Sequence, residues 1–154
     1  MKVEFKITET SQEEIVISCV SVDKRLLELK ELIEDYFKED LHLELYDQKT
    51  QYYLPLTKIL FFETNGSEVF AHTSDKQFKV KYKMYELEEK LPNKFTRVAK
   101  SMIVNIDKIY SITRNITASS IIAFPNTSKK AYVSRSYYKN LKIQIRKRRE
   151  KYEK

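Results

Sequence analysis

One glycine, one cysteine and no tryptophan occur in these 154 residues. A phosphate-cradling loop or a dinucleotide fingerprint needs several glycines at fixed spacing, so Gly66 alone excludes both. Cys19 alone excludes an intrachain disulfide and a cysteine-based zinc site, and fits a reducing compartment. No apolar run approaches the roughly 20 residues that span a bilayer. The amino-terminal Met1-Lys2-Val3-Glu4-Phe5-Lys6 alternates instead of forming a signal-peptide core. A soluble, cytoplasmic protein is expected. His42 and His72 lie far apart without a matching ligand or nucleophile pattern, and read as ordinary strand residues. No nucleophile, base or metal set stands out. An enzyme is therefore not expected, and neither is a catalytic residue, a metal, a cofactor or a small-molecule substrate.

Acids are scarce in the second half. Between Pro92 and Arg149 there are fourteen lysines and arginines and one acid, Asp107. Residues 1–50 hold seven basic and thirteen acidic side chains, a net of −6, and residues 51–154 hold twenty-two and nine, a net of +13. The overall +7 thus hides a strongly dipolar chain. A cationic surface with hydroxyl and guanidinium donors suits a polyanion. Eleven tyrosines add rings with polar tips, which serve partly exposed faces and nucleic-acid contacts.

Periodicity divides the chain in two. Val3, Phe5 and Ile7 alternate as a half-buried strand, and residues 14–20 read as a second. Val22, Leu26, Leu29, Ile33 and Tyr36 recur at helical spacing, with Ser21 as a candidate cap and an acidic outer face of Glu28, Glu31, Glu34, Asp35 and Glu39. Leu41, Leu43 and Leu45 alternate again. Residues 1–50 are expected to form a small acidic β-β-α-β unit for regulation or dimerisation. Residues 51–154 form the second unit, with the boundary between Asp47 and Tyr53. There, residues 56–63, 69–73 and 77–82 read as strands, with an Asn65-Gly66 hairpin turn after the first. Met84, Leu87 and Leu91 mark a short helix ended by Pro92. Short strands follow at 95–100, 102–106 and 109–112, then a hairpin of 116–124 and 130–133. Ser134 is positioned to cap a last helix, with Tyr138, Leu141 and Ile145 on one face and a basic end at Arg146-Lys147-Arg148-Arg149.

Three clusters then line up. They are Leu60-Phe61-Phe62-Glu63, the run from Phe95-Thr96-Arg97 through Lys100-Ser101 to Asn105 and Ile109, and Val133-Ser134-Arg135-Ser136-Tyr137. In order and spacing they resemble the LytTR DNA-binding domain over roughly residues 52–145. The resemblance implies an α+β, mostly β fold of short antiparallel sheets. To it the chain adds a small α/β amino-terminal unit and a carboxy-terminal helix. It also implies a bacterial transcriptional regulator that places loops into successive major grooves of double-stranded DNA and bends it. Many members carry a receiver domain in front, and fifty residues cannot hold one. The chain instead resembles the small stand-alone members, which often pair with a membrane-embedded inhibitor.

The resemblance also suggests roles. Arg135 matches the arginine inserted into the groove, and its planar fork suits guanine O6 and N7. Ser134 and Ser136 flank it as phosphate donors, and Ser134 doubles as a cap. Lys100 occupies the second reading position and faces a guanine or a phosphate. Ser101 bonds phosphate or closes the turn. Arg97 is either a phosphate clamp or a structural ion-pair partner. Asn65 and Ser67 sit in the first reading loop, Tyr137 and Lys139 are backbone contacts, and Tyr138 belongs to the core. Asn105 shapes a turn and is excluded from the contacts. A few base contacts of about 1–3 kcal/mol each do not specify a promoter alone, so a homodimer on repeated half-sites is expected. Two alternatives remain: an RNA- or ribosome-binding basic module, and a non-catalytic module for protein or anionic-membrane surfaces.

Overall fold

The computed structural model describes residues 2–7, 9, 14–39 and 41–152, with the backbone alone at 151 and 152. Its elements are α1 (Lys24–Lys38), β1 (Leu43–Asp47), β2 (Thr50–Leu54), β3 (Phe61–Asn65), β4 (Glu68–His72), β5 (Gln77–Val80), α2 (Met84–Lys90), β6 (Phe95–Ala99), β7 (Met102–Asn105), β8 (Ser111–Thr113), β9 (Ser120–Ala123), β10 (Lys130–Val133) and α3 (Arg135–Tyr152). All strand pairs are antiparallel. Seven strands form one sheet in the order β2-β1-β5-β4-β3-β7-β6, and β10-β9-β8 form a second. The fold is α+β and mostly β, as the sequence implied.

Alternation along β3 explains the layering. Phe62 points into one core, with Leu43 and Leu45 of β1, Phe78 and Val80 of β5, Ile103 of β7, and Met84 and Leu87 of α2. Phe61 points the other way, into a core with Val98, Met102, Val104, Ile122, Phe124, Ala131, Val133 and Leu141. Successive side chains of a strand face opposite sides, so one sheet covered on both faces needs this double run of phenylalanine. The small sheet and α3 cover the second face, and Leu141 is fully buried there. The expected face of α3 is the one observed: Leu141 is in that core and Tyr138 and Ile145 pack against it.

Several expectations fail. Within the expected strands at 3–7 and 14–20, the described residues are exposed and outside any strand; residues 1, 8 and 10–13 lie outside the described set. Alternation supplies a strand's face but not its partner, and no described strand pairs there. The expected β-β-α-β unit is therefore not observed, and β1 pairs with β2 and β5 inside the seven-stranded sheet. Asp23, not Ser21, caps α1: its Oδ1 accepts the Leu26 backbone N–H at 3.0 Å. The expected strand at 56–63 opens instead as a 3-10 turn over Leu56–Lys58, after Pro55, and extends only from Phe61. The strand expected at 116–124 begins only at Ser120, after an exposed loop.

His72 joins the two sheets. Its ring stacks on Phe61 at 4.4 Å between centroids, and Phe61 stacks on Phe124 at 5.5 Å. Lys129 Nζ lies 3.2 Å from Nδ1 and donates to the Lys76 carbonyl at 2.6 Å. Nε2 lies 2.7 Å from Glu63 Oε1, although the approach angle falls outside hydrogen-bond geometry. Burial holds the His72 pKa below its ordinary 6.5; the Glu63 charge raises it and the Lys129 charge lowers it. A neutral imidazole accepts from Lys129, and an imidazolium does not. The unfolded chain therefore binds a proton before the folded chain does. Stability is full above about pH 6.5 and falls as the pH drops from there towards the folded value, by at most about 1.4 kcal/mol per unit. Urea unfolding from pH 7.5 to 5.5 is expected to show this slope, and His72→Gln to flatten it. Equal slopes in both proteins would show that His72 does not set the acid limb.

Candidate nucleic-acid interface

Three turns carry the residues expected to touch nucleic acid. The first joins β3 and β4. Asn65 pairs with Glu68, leaving Gly66 and Ser67 as a two-residue loop. Gly66 has φ +65°, and a Cβ there would meet nothing within 4 Å. Backbone conformation, not crowding, is what calls for glycine at this hairpin tip. Asn65 and Ser67 are exposed.

The second turn, Lys100-Ser101, joins β6 and β7, and both residues are exposed. The register slips between Arg97 and Ala99, a bulge at Val98. Two backbone hydrogen bonds exploit this corner. The Ser101 carbonyl accepts the Thr64 N–H at 2.9 Å, which ties this turn to the β3–β4 hairpin. The Val98 carbonyl accepts the Ser134 N–H at 2.9 Å, which ties it to the entry of α3. The loops holding Asn65, Ser67, Lys100, Ser101, Ser134 and Arg135 thus meet at one end of the large sheet.

The third turn is that entry. The Ser134 carbonyl accepts the Tyr137 N–H at 2.9 Å as the helix starts. The first turn of α3 contains no acid, so its backbone N–H groups and Arg135 present positive charge together. Arg135, Ser136 and Lys139 are exposed. Tyr137 is half-buried and packs, like Tyr138, against the second core. Its ring is therefore largely an anchor for the helix.

Arg97 stands behind the second turn. Its Nε donates to the Ala99 carbonyl at 3.2 Å, Nη2 donates to the Lys100 carbonyl, and Nη1 donates to Glu88 Oε2 at 2.8 Å. A planar fork bonding both carbonyls of a turn and a carboxylate on α2 is a brace. Of the two roles considered for Arg97, the geometry favours the structural one. Asn105 shapes a turn as expected, and it is buried. Its amide donates to the Ile59 carbonyl at 3.0 Å and its carbonyl accepts the Asp107 N–H at 3.1 Å.

The solitary acid of the basic stretch is neutralised. Asp107 receives Arg148 Nε and Nη2, both at 2.6 Å. Part of the basic block at the end of α3 thus has an internal partner. One cation escaped the sequence reading. Arg114 lies 4.8 Å from the centre of the Tyr138 ring, one turn into α3. It precedes the loop between β8 and β9 in sequence, and only the fold brings it beside the entry of α3. Among the described residues no cluster of acids, histidines and cysteines is arranged to hold a metal ion. No helix among them is long and apolar enough to cross a membrane.

The family model of the LytTr DNA-binding domain matches residues 49–146. This chain belongs to the LytTR family. The matched span begins near β2 and ends in α3, so it contains all three turns. An uncharacterized HTH-type transcriptional regulator of Staphylococcus aureus (strain NCTC 8325 / PS 47) is 33% identical over 101 residues, covering 65% of this chain and 67% of that protein. A similarly described protein of strain MRSA252 is 32% identical over 101 residues, with the same coverage. Among solved structures, the LytTr DNA-binding domain of a Bacillus cereus protein described as a methyl-accepting/DNA response regulator superposes with a TM-score of 0.62. It is 22% identical and covers 68% of this chain and 95% of that one. The relatives' names say HTH, yet in this LytTR chain five strands separate α1 from α2 and five more separate α2 from α3. No two described α-helices are consecutive in the chain.

The brace role of Arg97 is testable with a substitution that keeps charge but loses the fork. Arg97→Lys is expected to lower affinity for a specific duplex about tenfold while the salt dependence of non-specific binding stays unchanged. Near-native specific affinity in a fluorescence-anisotropy titration would point to a simple phosphate contact instead.

Proposed function

We propose that this LytTR protein is a transcriptional regulator that binds double-stranded DNA sequence-specifically and reads major-groove edges with loops. The observation that carries the proposal is the pair of backbone tethers that gather the Lys100 turn and the Arg135 turn at one end of the sheet. Arg135 and Lys100 contact base edges. Ser101, Ser134 and Ser136 donate to phosphates, with the acid-free start of α3 beside them. Asn65 and Ser67 extend the surface to the next part of the duplex, and Lys139 adds a backbone contact. Tyr137 fixes the helix from which the others project, with its hydroxyl edge towards the sugar-phosphate chain. Arg97 holds the Lys100 turn in shape.

The remainder of the reading follows from charge and arithmetic. Each protomer contributes two or three base contacts of about 1–3 kcal/mol. A second protomer on a repeated half-site roughly doubles that discrimination, so the bound form is a homodimer. The acid-rich segment ahead of β1 is repelled by DNA and serves dimerisation or regulation. A membrane-embedded inhibitor is the proposed regulator, and the protein itself acts in the cytoplasm without catalysis or cofactor.

Two variants separate base reading from general attraction. Arg135→Ala is expected to abolish the difference between specific and random duplex while leaving most salt-sensitive binding. Neutralising Arg146, Lys147 and Arg149 together is expected to weaken all duplexes alike. Gel shifts with promoter duplex, random duplex and matched RNA measure both effects. Equal losses for specific and random duplex in Arg135→Ala, or tighter binding to RNA without sequence preference, would contradict the reading.

A further inference from the structure

Helix α3 carries its cations in a line. Arg135, Lys139, Lys142, Arg146 and Arg149 recur at steps of four and three, which keeps them on one face at 3.6 residues per turn. All five are exposed. Packing fixes where that face points, because Leu141 is fully buried beside it and Tyr138 and Ile145 pack against the second core. At about 1.5 Å per residue the line runs about 21 Å, from the corner of the three turns towards the far end of the helix.

A groove follows the line. β8 is the outer strand of the small sheet, and no described strand pairs with its free side. Between β8 and α3 lies a cleft of about 580 Å³, with Tyr110, Ser111 and Ile112 on one wall and Lys142, Ile145 and Arg149 on the other. Tyr110 is 77% exposed and Ser111 is exposed, so hydroxyls stand opposite cations. Arg114, the residue after β8, stands where the groove meets the start of α3, 4.8 Å from the centre of the Tyr138 ring. The loop behind it is fastened: the Asn115 N–H donates to Ser120 Oγ at 3.1 Å, and Asn115 Oδ1 accepts the Thr117 N–H at 3.1 Å.

The protein does not neutralise this lining. Asp107, the acid of the cleft, is taken up by Nε and Nη2 of Arg148. Among the described residues, no ion pair engages Arg114, Arg135, Lys139, Lys142 or Arg149. Cations gathered in this way repel one another, and an anion bound among them relieves the repulsion.

We infer that this groove is a backbone channel for DNA, in which one strand leaves the corner of the three turns and lays its phosphates between β8 and α3. Arg114, Lys142 and Arg149 pair with phosphate oxygens. The Tyr110 and Ser111 hydroxyls and the outward N–H groups of the β8 edge donate to them. Continuity selects the occupant: Arg135 belongs both to the line and to the corner, so a strand held at the corner enters the channel directly. The length fits about six base pairs, at about 3.4 Å per phosphate along each strand. The inference rests on the DNA-reading proposal and adds to it a flanking stretch held without regard to sequence.

Fluorescence anisotropy of the full chain tests it, in a salt titration on two duplexes. One is a half-site selected from random duplexes, and the other carries about ten further base pairs on one side. The wild-type protein is expected to bind the flanked duplex about tenfold tighter, with a steeper salt dependence. Lys142→Gln with Arg149→Gln is expected to remove most of that gain. It lowers the salt slope on the flanked duplex by up to about 1.8, at about 0.9 per phosphate contact. The bare half-site and the ratio of specific to random flanked duplex are expected to stay as in wild type. Arg114→Gln is expected to lower the slope by up to about 0.9, and Arg114→Lys to restore it. Lys49→Gln, in the turn between β1 and β2, is expected to match wild type on both duplexes. Circular dichroism and thermal unfolding report that the fold is intact, and the double variant leaves the Arg114–Tyr138 contact in place.

A wild-type protein indifferent to the flank, or a double variant with the wild-type gain and slope, overturns the inference. Specific binding of the half-site in that case leaves the loop reading standing. If the flank strengthens binding, the double variant loses that gain and no duplex sequence is preferred, the channel stands and the loop reading falls. A wild-type protein indifferent to the flank that needs Lys142 and Arg149 to bind poly-glutamate marks an acidic protein as the occupant and overturns the inference. Binding to no duplex ends both.

Discussion

Two backbone hydrogen bonds, Thr64 N–H to the Ser101 carbonyl and Ser134 N–H to the Val98 carbonyl, bind the proposed reading surface together. Each joins elements distant in sequence: the first continues the pairing of β3 with β7, and the second uses a carbonyl on the free edge of β6. The second bond falls at the bulge at Val98, and the Arg97 fork holds the turn between them. Remove that corner and Lys100, Arg135 and the Asn65 loop become three unrelated surface features. Base recognition demands that donors keep their positions relative to one another, because a hydrogen bond weakens steeply once its geometry is lost. A surface built from loops meets that demand only when the loops are cross-tied.

Beneath this corner lies the double run Phe61-Phe62, which commits the large sheet to two cores at once. The second core seats the small sheet and α3, and α3 in turn presents Arg135 and Ser136. Packing therefore sets where the arginine emerges, and electrostatics sets what it meets. The same division of labour places the acids. Asp107 is taken up by Arg148, Glu88 by Arg97 and Glu39 by Lys94, so carboxylates near the basic stretch serve as internal ties.

Much of this was legible in the chain. The Asn65-Gly66 turn, the short strands from Phe95 to Asn105, the final helix behind Ser134 and the turn-shaping role of Asn105 follow from local pattern or family resemblance. What escaped shares one physical cause, which is partners far away in sequence. Alternation at Val3, Phe5 and Ile7 defines a face, but a strand also needs a neighbour, and none pairs with it here. Strand β1 looked like part of an acidic amino-terminal unit because its pairing with β5 cannot be seen locally. Arg97 was undecidable because the carbonyls it braces are main-chain groups that every sequence contains. Arg114 and the His72–Lys129 contact are products of the fold.

The central claim is that the three tied turns form one DNA-reading surface. Backbone amide chemical-shift mapping on addition of a specific duplex tests it most directly. The account predicts one contiguous set of perturbed amides, at Asn65–Ser67, Lys100–Ser101 and Ser134–Ser136, with β1 and β2 silent. Perturbation centred on β1 and β2, or confined to the far end of α3, would contradict it.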